Sequence, residues 1–191
     1  MAIRLTGDEA ADALLTNDAF ALVVAMVLDQ QIPLERAFAA PLLLRERLGG
    51  DLDVRLVASM DPDELVALFS ATPALHRFPA SMAARVQGVA RIVVDSYGGN
   101  AAELWRSAAD GEALLSNLRA LPGFGEQKAR IFVALLGKQL GVQPTGWAEA
   151  AGPFGTPGSY VSVADIDGPE ALAKVRTHKQ SMRSAAERKR S

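Results

Sequence analysis

Leu121-Pro122-Gly123-Phe124-Gly125-Glu126-Gln127-Lys128-Ala129 constrains this chain more than any other stretch. Pro122 has no N–H to donate and disfavours helical geometry in the residue before it, so a helix arriving through residues 116–120 stops there. Gly123 and Gly125 permit positive φ and let a neighbouring backbone or a ligand come close. A second amphipathic segment follows, apolar at Ile131, Val133, Leu135, Leu136 and Leu140. The spacing predicts a helical hairpin over 116–140. The first turn of its second helix carries N–H groups without intrahelical acceptors, a place that suits a phosphate oxygen.

The rest of the chain reads as helices separated by capped turns. Thr6 and Glu9 form a capping-box pattern that opens a short helix to about Leu15. Asn17 or Asp18 caps the next, which runs to Leu28 and is apolar on almost every side, as a central core helix is. Pro33 opens a third helix and Gly49-Gly50 stops it. Asp61-Pro62-Asp63-Glu64 starts another. A loop over 70–80 precedes a helix over 82–97, with Ser81 as its cap and Gly98-Gly99 as its stop. Short helices over 101–106 and 112–121 lead into the hairpin. Residues 141–160 hold five glycines and three prolines and read as a long loop, with a short helical turn at 147–151. Asp167-Gly168-Pro169-Glu170 then opens a closing helix over 167–185, with Asp167 as cap, and 186–191 reads as a frayed basic tail. The only strand candidate is 160–166. The expectation is an all-α protein with one compact unit over 1–185.

Composition removes several classes. Without cysteine there is no disulfide and no cysteine-ligated zinc or iron–sulfur site. Two distant histidines make a transition-metal site unexpected. The longest apolar run, from Phe20 to Leu28, is too short for a membrane span, and the first residues lack the order of a signal peptide. The expectation is a cytoplasmic protein with no membrane partner. Charge is divided unevenly. Residues 1–173 carry 13 Lys and Arg against 21 Asp and Glu, whereas residues 174–191 carry 7 against 1. A basic arm on an acidic body points to a phosphate-rich partner or to a solvated tail.

The buried helix ending in Leu28-Asp29-Gln30-Gln31-Ile32, the helix after it and the Leu-Pro-Gly-x-Gly hairpin together resemble the helix-hairpin-helix (HhH-GPD) DNA glycosylase superfamily. The Gln-Gln-Ile phrase is most similar to the branch that removes alkylated bases such as 3-methyladenine. The resemblance implies a two-lobed all-α fold, with a helix-hairpin-helix, an extended Gly/Pro-rich loop and a cleft between the lobes. It implies duplex DNA containing a damaged base as partner, a monomer, and hydrolysis of the N-glycosidic bond as the reaction. Gly123, Phe124, Gly125, Gln127 and Lys128 would then lie at the DNA backbone, with a monovalent cation at the turn carbonyls and no other cofactor. Gln30 and Gln31 would fill the space left by a flipped nucleotide. Trp147, Tyr160, Phe78 and His76 are the candidates for a base pocket, because flipped bases are held by stacking and a few hydrogen bonds.

The catalytic aspartate of that superfamily lies about twenty residues past the second hairpin glycine. Here that residue is Thr145, and no Asp occurs between Glu126 and Ala164. Asp165 and Asp167 are the first carboxylates of this type after the loop. Asp167 is the expected catalyst by its position at a helix start, and Asp165 is the alternative. Relatives that use an amine nucleophile carry Lys two residues past the second glycine, where this chain has Gln127. A monofunctional glycosylase with water as nucleophile follows. The alternative is a DNA-binding protein that keeps the fold but has lost its catalytic aspartate.

Overall fold

The computed structural model describes residues 2–188. It is all-α, and eleven helices follow in order among those residues: α1 (Glu9–Asn17), α2 (Ala19–Leu28), α3 (Leu34–Arg47), α4 (Val54–Ser59), α5 (Pro62–Ser70), α6 (Pro79–Tyr97), α7 (Glu103–Arg106), α8 (Gly111–Arg119), α9 (Glu126–Gln139), α10 (Trp147–Ala151) and α11 (Pro169–Arg188). Two 3₁₀ turns, Gly152–Gly155 and Val163–Asp165, lie between α10 and α11. The strand candidate at 160–166 is thus corrected: Ser162 and Asp165 form a reciprocal capping box around a helical turn there. Of the expected tail at 186–191, the first part continues α11 to Arg188 and residues 189–191 lie outside the described residues.

α2 organises the core. Every residue from Phe20 to Leu28 is buried, and α1, α3 and α6 pack around it. Each large aliphatic side chain so enclosed contributes about 2 kcal/mol of hydrophobic stabilisation. α6 packs on α4 and α5, and α9 on α8 and α10. One continuous apolar cluster runs from Ile3 to Val175 and joins these groups.

Aspartates start many of the helices. Asp8, Asp18, Asp53, Asp61 and Asp110 each accept backbone N–H groups at the start of α1, α2, α4, α5 and α8. Three expected caps are corrected. Thr6 does not cap α1: its hydroxyl donates to Asp12, which also accepts the N–H groups of Leu5 and Thr6 and so ties down the N-terminal segment. Ser81 lies inside α6, which begins at Pro79, where the ring already fixes φ for a first helical turn. At α11 the first helical acceptor is the Gly168 carbonyl, which receives the Leu172 N–H at 3.0 Å. Asp167 therefore precedes the cap. α4 has no counterpart in the sequence reading. It is one short turn sealed by Val54 and Val57.

The loop expected at 141–160 is largely structured. α10 lies against α8 and α9, and glycines make the approach possible. A Cβ on Gly137 would sit 2.3 Å from the Trp147 ring, and one on Gly111 would sit 2.4 Å from the Gly146 carbonyl.

Candidate functional site

The hairpin turn forms as its residues dictate. α8 ends at Arg119, the Phe124 N–H returns to the Leu121 carbonyl at 3.1 Å, and Gly123 takes φ +86°. Gly125 does not use its left-handed freedom, since its φ is −83° and its ψ 174°. A Cβ there would meet nothing within 4 Å. No side chain caps α9, so the N–H groups of its first turn face outward from an exposed Gly125, Glu126 and Gln127. Glu126 is held sideways by Arg119 and Arg130, at 2.9 and 2.7 Å. The Leu121 carbonyl keeps one lone pair beyond its turn bond, which is what a monovalent cation at the turn would require.

Two of the expected surface residues of this hairpin turn inward. The Phe124 ring is buried against Phe132, with centroids 5.9 Å apart. Lys128 points away from the turn and into the C-terminal end of α2. Its ammonium donates to the Met26 carbonyl at 2.8 Å and to the Val27 carbonyl at 3.3 Å. A cation suits the carbonyl-rich end of a helix. Burial lowers the Lys128 pKa to about 8, with Asp29 opposing the shift and Arg85 adding to it. The lysine is a clamp between the hairpin and α2 and not a surface phosphate contact.

The Gln30-Gln31 turn sits on the same clamp, and its two glutamines behave differently. Gln30 is half-buried and its amide is consumed inside the protein: Nε2 donates to the Val27 carbonyl at 2.7 Å and Oε1 accepts from Arg85 at 2.8 Å. The expectation that Gln30 meets a base edge is therefore corrected. Gln31 is exposed and held at φ +56°, the only positive φ on a non-glycine residue among the described residues. That conformation costs about 1–2 kcal/mol for an L residue and persists only where the surroundings enforce it. Arg85 also lies along Gly123, where a Cβ would come within 3.3 Å of its Cδ. Hairpin turn, α6 and Gln31 turn are thus one connected unit.

His76 enforces the same unit from the other side. It is fully buried, so it is not a base-pocket residue. Its Nδ1 accepts the Phe78 N–H at 3.1 Å, which leaves Nε2 to carry the proton and donate to the Gln30 carbonyl at 2.8 Å. Desolvation lowers its pKa, the Gln30 carbonyl opposes this, and Arg36, Arg77 and Lys128 lower it further. The ring is neutral and locks the 71–78 loop to the Gln31 turn. Next to it Phe78 is 43% exposed, with the Arg77 guanidinium 4.8 Å from its ring centre. Arg36, Arg77, Arg85 and Lys128 therefore gather around the Gln31 turn, although the body of the chain is acidic.

The other expected pocket residues lie elsewhere. Trp147 fills the slot over Gly137, near the far end of α9 from the turn, and packs α10 in place. Tyr160 is 38% exposed and carries the Lys174 ammonium 4.6 Å from its ring centre. Neither joins Phe78 or His76.

The two aspartates separate completely. The Asp165 side chain is 2% exposed and pairs with Lys138 at 2.6 Å. It also accepts from Ser159 at 2.9 Å and from the N–H groups of Val161 and Ser162 at 2.9 and 3.0 Å. All its acceptor directions are used inside the protein, so the expected catalytic role for Asp165 is corrected to a structural one. Asp167 is exposed and lines a groove of about 780 Å³ with Arg4, Glu9, Asp12 and Glu35. Glu35, in the first turn of α3, follows Gln31 by four residues and also pairs with Arg176 of α11. Thr145 is exposed and its carbonyl accepts the Gly111 N–H at 2.8 Å. Among the described residues no group of three His, Asp or Glu could hold a metal ion.

Arg85, Arg77 and Lys138 carry much of this geometry and had no role in the sequence reading. In the sequence Lys128 reads as a DNA-backbone contact, although its helical stripe with Phe132 and Leu135, both buried, is a signal for an inward position. Comparison with curated proteins and comparison with solved structures return no match. A protein-family model described as "HhH-GPD superfamily base excision DNA repair protein" matches residues 24–190, and the chain belongs to that superfamily.

Proposed function

We propose that this protein is a monofunctional DNA glycosylase that hydrolyses the N-glycosidic bond of a damaged, cationic base in duplex DNA. One observation carries the reading. The 29–33 turn is clamped to the hairpin through Lys128 and Gln30–Arg85, and it runs directly into α3, whose Glu35 shares a groove with Asp167. The clamped turn and the carboxylate groove are thus linked through the first turn of α3, which carries Glu35. In this reading the outward N–H groups of the α9 first turn take a phosphate, and the space outside Gly125 admits it. A monovalent cation at the turn carbonyls would add charge for the same phosphate. Gln31 fills the gap in the duplex, and the exposed Phe78 and Arg77 lie beside it for stacking and phosphate contact.

Asp167 is the proposed catalytic residue. Its carboxylate stabilises positive charge at the sugar as the bond to the base breaks, and water completes the hydrolysis. The groove lining carries Glu9, Asp12 and Asp167 against Arg4, beside a Glu35 already paired with Arg176, and the remaining excess of negative charge favours a positively charged N-alkylated purine over a neutral base. Such a base leaves without prior protonation. Gln127 has no amine, and the Lys128 amine is committed to α2 carbonyls, which disfavours a covalent sugar–lysine intermediate.

A second reading is a non-catalytic DNA-binding member of the superfamily. The sequestration of Asp165 and the presence of Thr145 twenty residues past Gly125 favour it. The test is base release from duplexes containing alkylated adenine, hypoxanthine, uracil or an 8-oxoguanine mismatch, with Asp167→Asn alongside. Release of the alkylated base, lost in Asp167→Asn while binding persists, supports the first reading. Release that survives Asp167→Asn removes that residue from the mechanism. Binding without release across the panel supports the second reading, and absence of binding overturns both.

A further inference from the structure

A second space in the molecule takes no part in the DNA reading. It is a pocket of about 410 Å³ where α7, the start of α2 and the end of α9 come together. The hairpin turn lies at the other end of α9, about 20 Å away for a helix of this length. Leu22, Leu140 and Val142 are among its apolar walls, and Arg106 is the only charged residue lining it among the described residues. Pockets of this size that hold small molecules combine apolar walls with a few polar groups that orient the ligand. Here those polar groups lack partners. Trp105 is 8% exposed, and Phe132 meets its ring edge-on with centroids 6.2 Å apart. A tryptophan so enclosed ordinarily gives its N–H to an acceptor. This indole N–H has none among the described residues, yet solvent reaches the nitrogen, so the donor opens into the pocket that the ring lines. Arg106, the next residue, is exposed, and its guanidinium makes no ion pair or hydrogen bond among the described residues. α7 itself is pinned, since Asn117 Nδ2 donates to the carbonyl of the buried Leu104 at 3.0 Å. Two adjacent donors, one rigid and one cationic, thus line the pocket from a fixed helix.

We infer that this pocket binds a small carboxylate with an apolar body, an aryl or medium-chain alkyl acid, held by Arg106 and the Trp105 indole N–H. The inference stands apart from the proposed function. The guanidinium fork matches a planar carboxylate through parallel N–H bonds, and the indole adds a third donor for either oxygen. Neither group can accept a hydrogen bond, so both call for an acceptor on the ligand. One cation balances one negative charge, which selects a carboxylate over a phosphate dianion. The apolar walls take the remainder of the molecule. Charge also separates the pocket from the Asp167 groove, although Thr16 and Asn17 line both. Acids dominate the groove and a single cation marks the pocket, so an anion is directed to the pocket and a cation to the groove.

The test titrates cinnamate into the full chain, with the neutral cinnamyl alcohol as its shape match and octanoate as a slimmer acid. Calorimetry gives the affinities. The indole N–H resonances of isotope-labelled protein give the place: the chain has two tryptophans, and Trp147 packs over Gly137 and does not line the pocket. Trp105→Phe assigns the two signals. At least one acid should saturate the protein and shift the Trp105 N–H downfield as its hydrogen bond forms, while the alcohol binds about tenfold more weakly than cinnamate. Arg106→Gln should lower the affinity for the acid about tenfold and leave that for the alcohol unchanged. Arg106 is exposed, so this variant keeps the fold, and its urea midpoint verifies that. Saturation by neither acid overturns the inference. Equal binding of cinnamate and its alcohol, or undiminished binding of the acid by Arg106→Gln, overturns the carboxylate assignment, and a shift confined to the Trp147 N–H overturns the location. The DNA reading survives each of these results, because neither Trp105 nor Arg106 enters it.

Discussion

Gly125→Asp separates the fold of the hairpin from its proposed use. Gly125 has φ −83° and ψ 174°, the extended geometry in which an N-cap residue sits, and α9 has no side-chain cap of its own. A Cβ at this position would meet nothing within 4 Å. An aspartate is therefore accommodated without strain, accepts one of the first-turn N–H groups, and faces the positive end of the helix dipole. Replacing Gly by Asp at an N-cap gains a few tenths of a kcal/mol, and the dipole adds about 0.3–1 kcal/mol at an exposed site. Glu126 next door offsets part of this, although Arg119 and Arg130 already hold its carboxylate. Net stability should rise by about 0.5 kcal/mol. The same carboxylate occupies the place proposed for a phosphate. At about 4 Å the repulsion between the two charges lies between about 1 and 4 kcal/mol, depending on how much water remains between them. Duplex affinity should fall at least about fivefold, and one phosphate contact should disappear from the salt dependence. Urea denaturation and fluorescence anisotropy on a labelled duplex measure the two quantities. A variant that is as stable as wild type and binds as tightly would refute the assignment of a phosphate to the start of α9. A variant that unfolds would refute the description of Gly125 as an open cap.

Three other outcomes follow from the site. Asp165→Asn removes one partner of a buried ion pair and should cost about 3–5 kcal/mol, a melting-temperature drop on the order of 10 °C; a catalytic role would instead abolish base release at unchanged stability. Gln31→Gly relieves a left-handed residue but adds freedom to the unfolded chain, so stability should stay within about 1 kcal/mol while discrimination between damaged and intact duplex falls; undiminished discrimination would remove Gln31 from the interface. Burial holds the His76 pKa below its ordinary value, so below about pH 6.5 the unfolded chain takes up a proton that the folded one resists. Stability should decline as pH falls from about 6.5 towards the folded pKa, and His76→Gln should flatten that part of the urea-midpoint profile; an identical profile in the variant would show that His76 is not the titrating group.

What the sequence could disclose was set by the range of the forces involved. The hairpin was legible because Pro122 and Gly123 act on their own backbone and their immediate neighbours. Asp18 and Asp61 were legible as caps for the same reason, since the acceptor and the N–H groups it takes lie within three residues. The caps expected at Thr6, Ser81 and Asp167 failed where two groups a few residues apart competed. Asp8 is in place for α1 while Asp12 holds the Thr6 hydroxyl, Pro79 starts α6 before Ser81, and the Gly168 carbonyl takes the role expected of Asp167. Site chemistry was harder, because a polar side chain's task depends on partners remote in sequence. Asp165 and Asp167 look alike in the chain, but Lys138 reaches one of them across 27 residues and leaves the other on the groove. Lys128 reads as a surface lysine until the α2 carbonyls, about a hundred residues earlier, are placed beside it. Gln30 and Gln31 are neighbours of one type, and only the arrival of Arg85 and His76 makes the first a strut and the second an exposed probe. The division has a functional consequence. Side chains expected to meet DNA or substrate, namely Lys128, Gln30, His76 and Asp165, instead hold the turn, the hairpin and the closing segment in position. The proposed contact surface contracts to backbone N–H groups, Gln31, Phe78, Arg77 and Asp167. Its fit to a flipped nucleotide depends on the rigidity of that buried polar frame, so variants of the frame should change catalysis through geometry and stability together, whereas variants of the exposed set should change it alone.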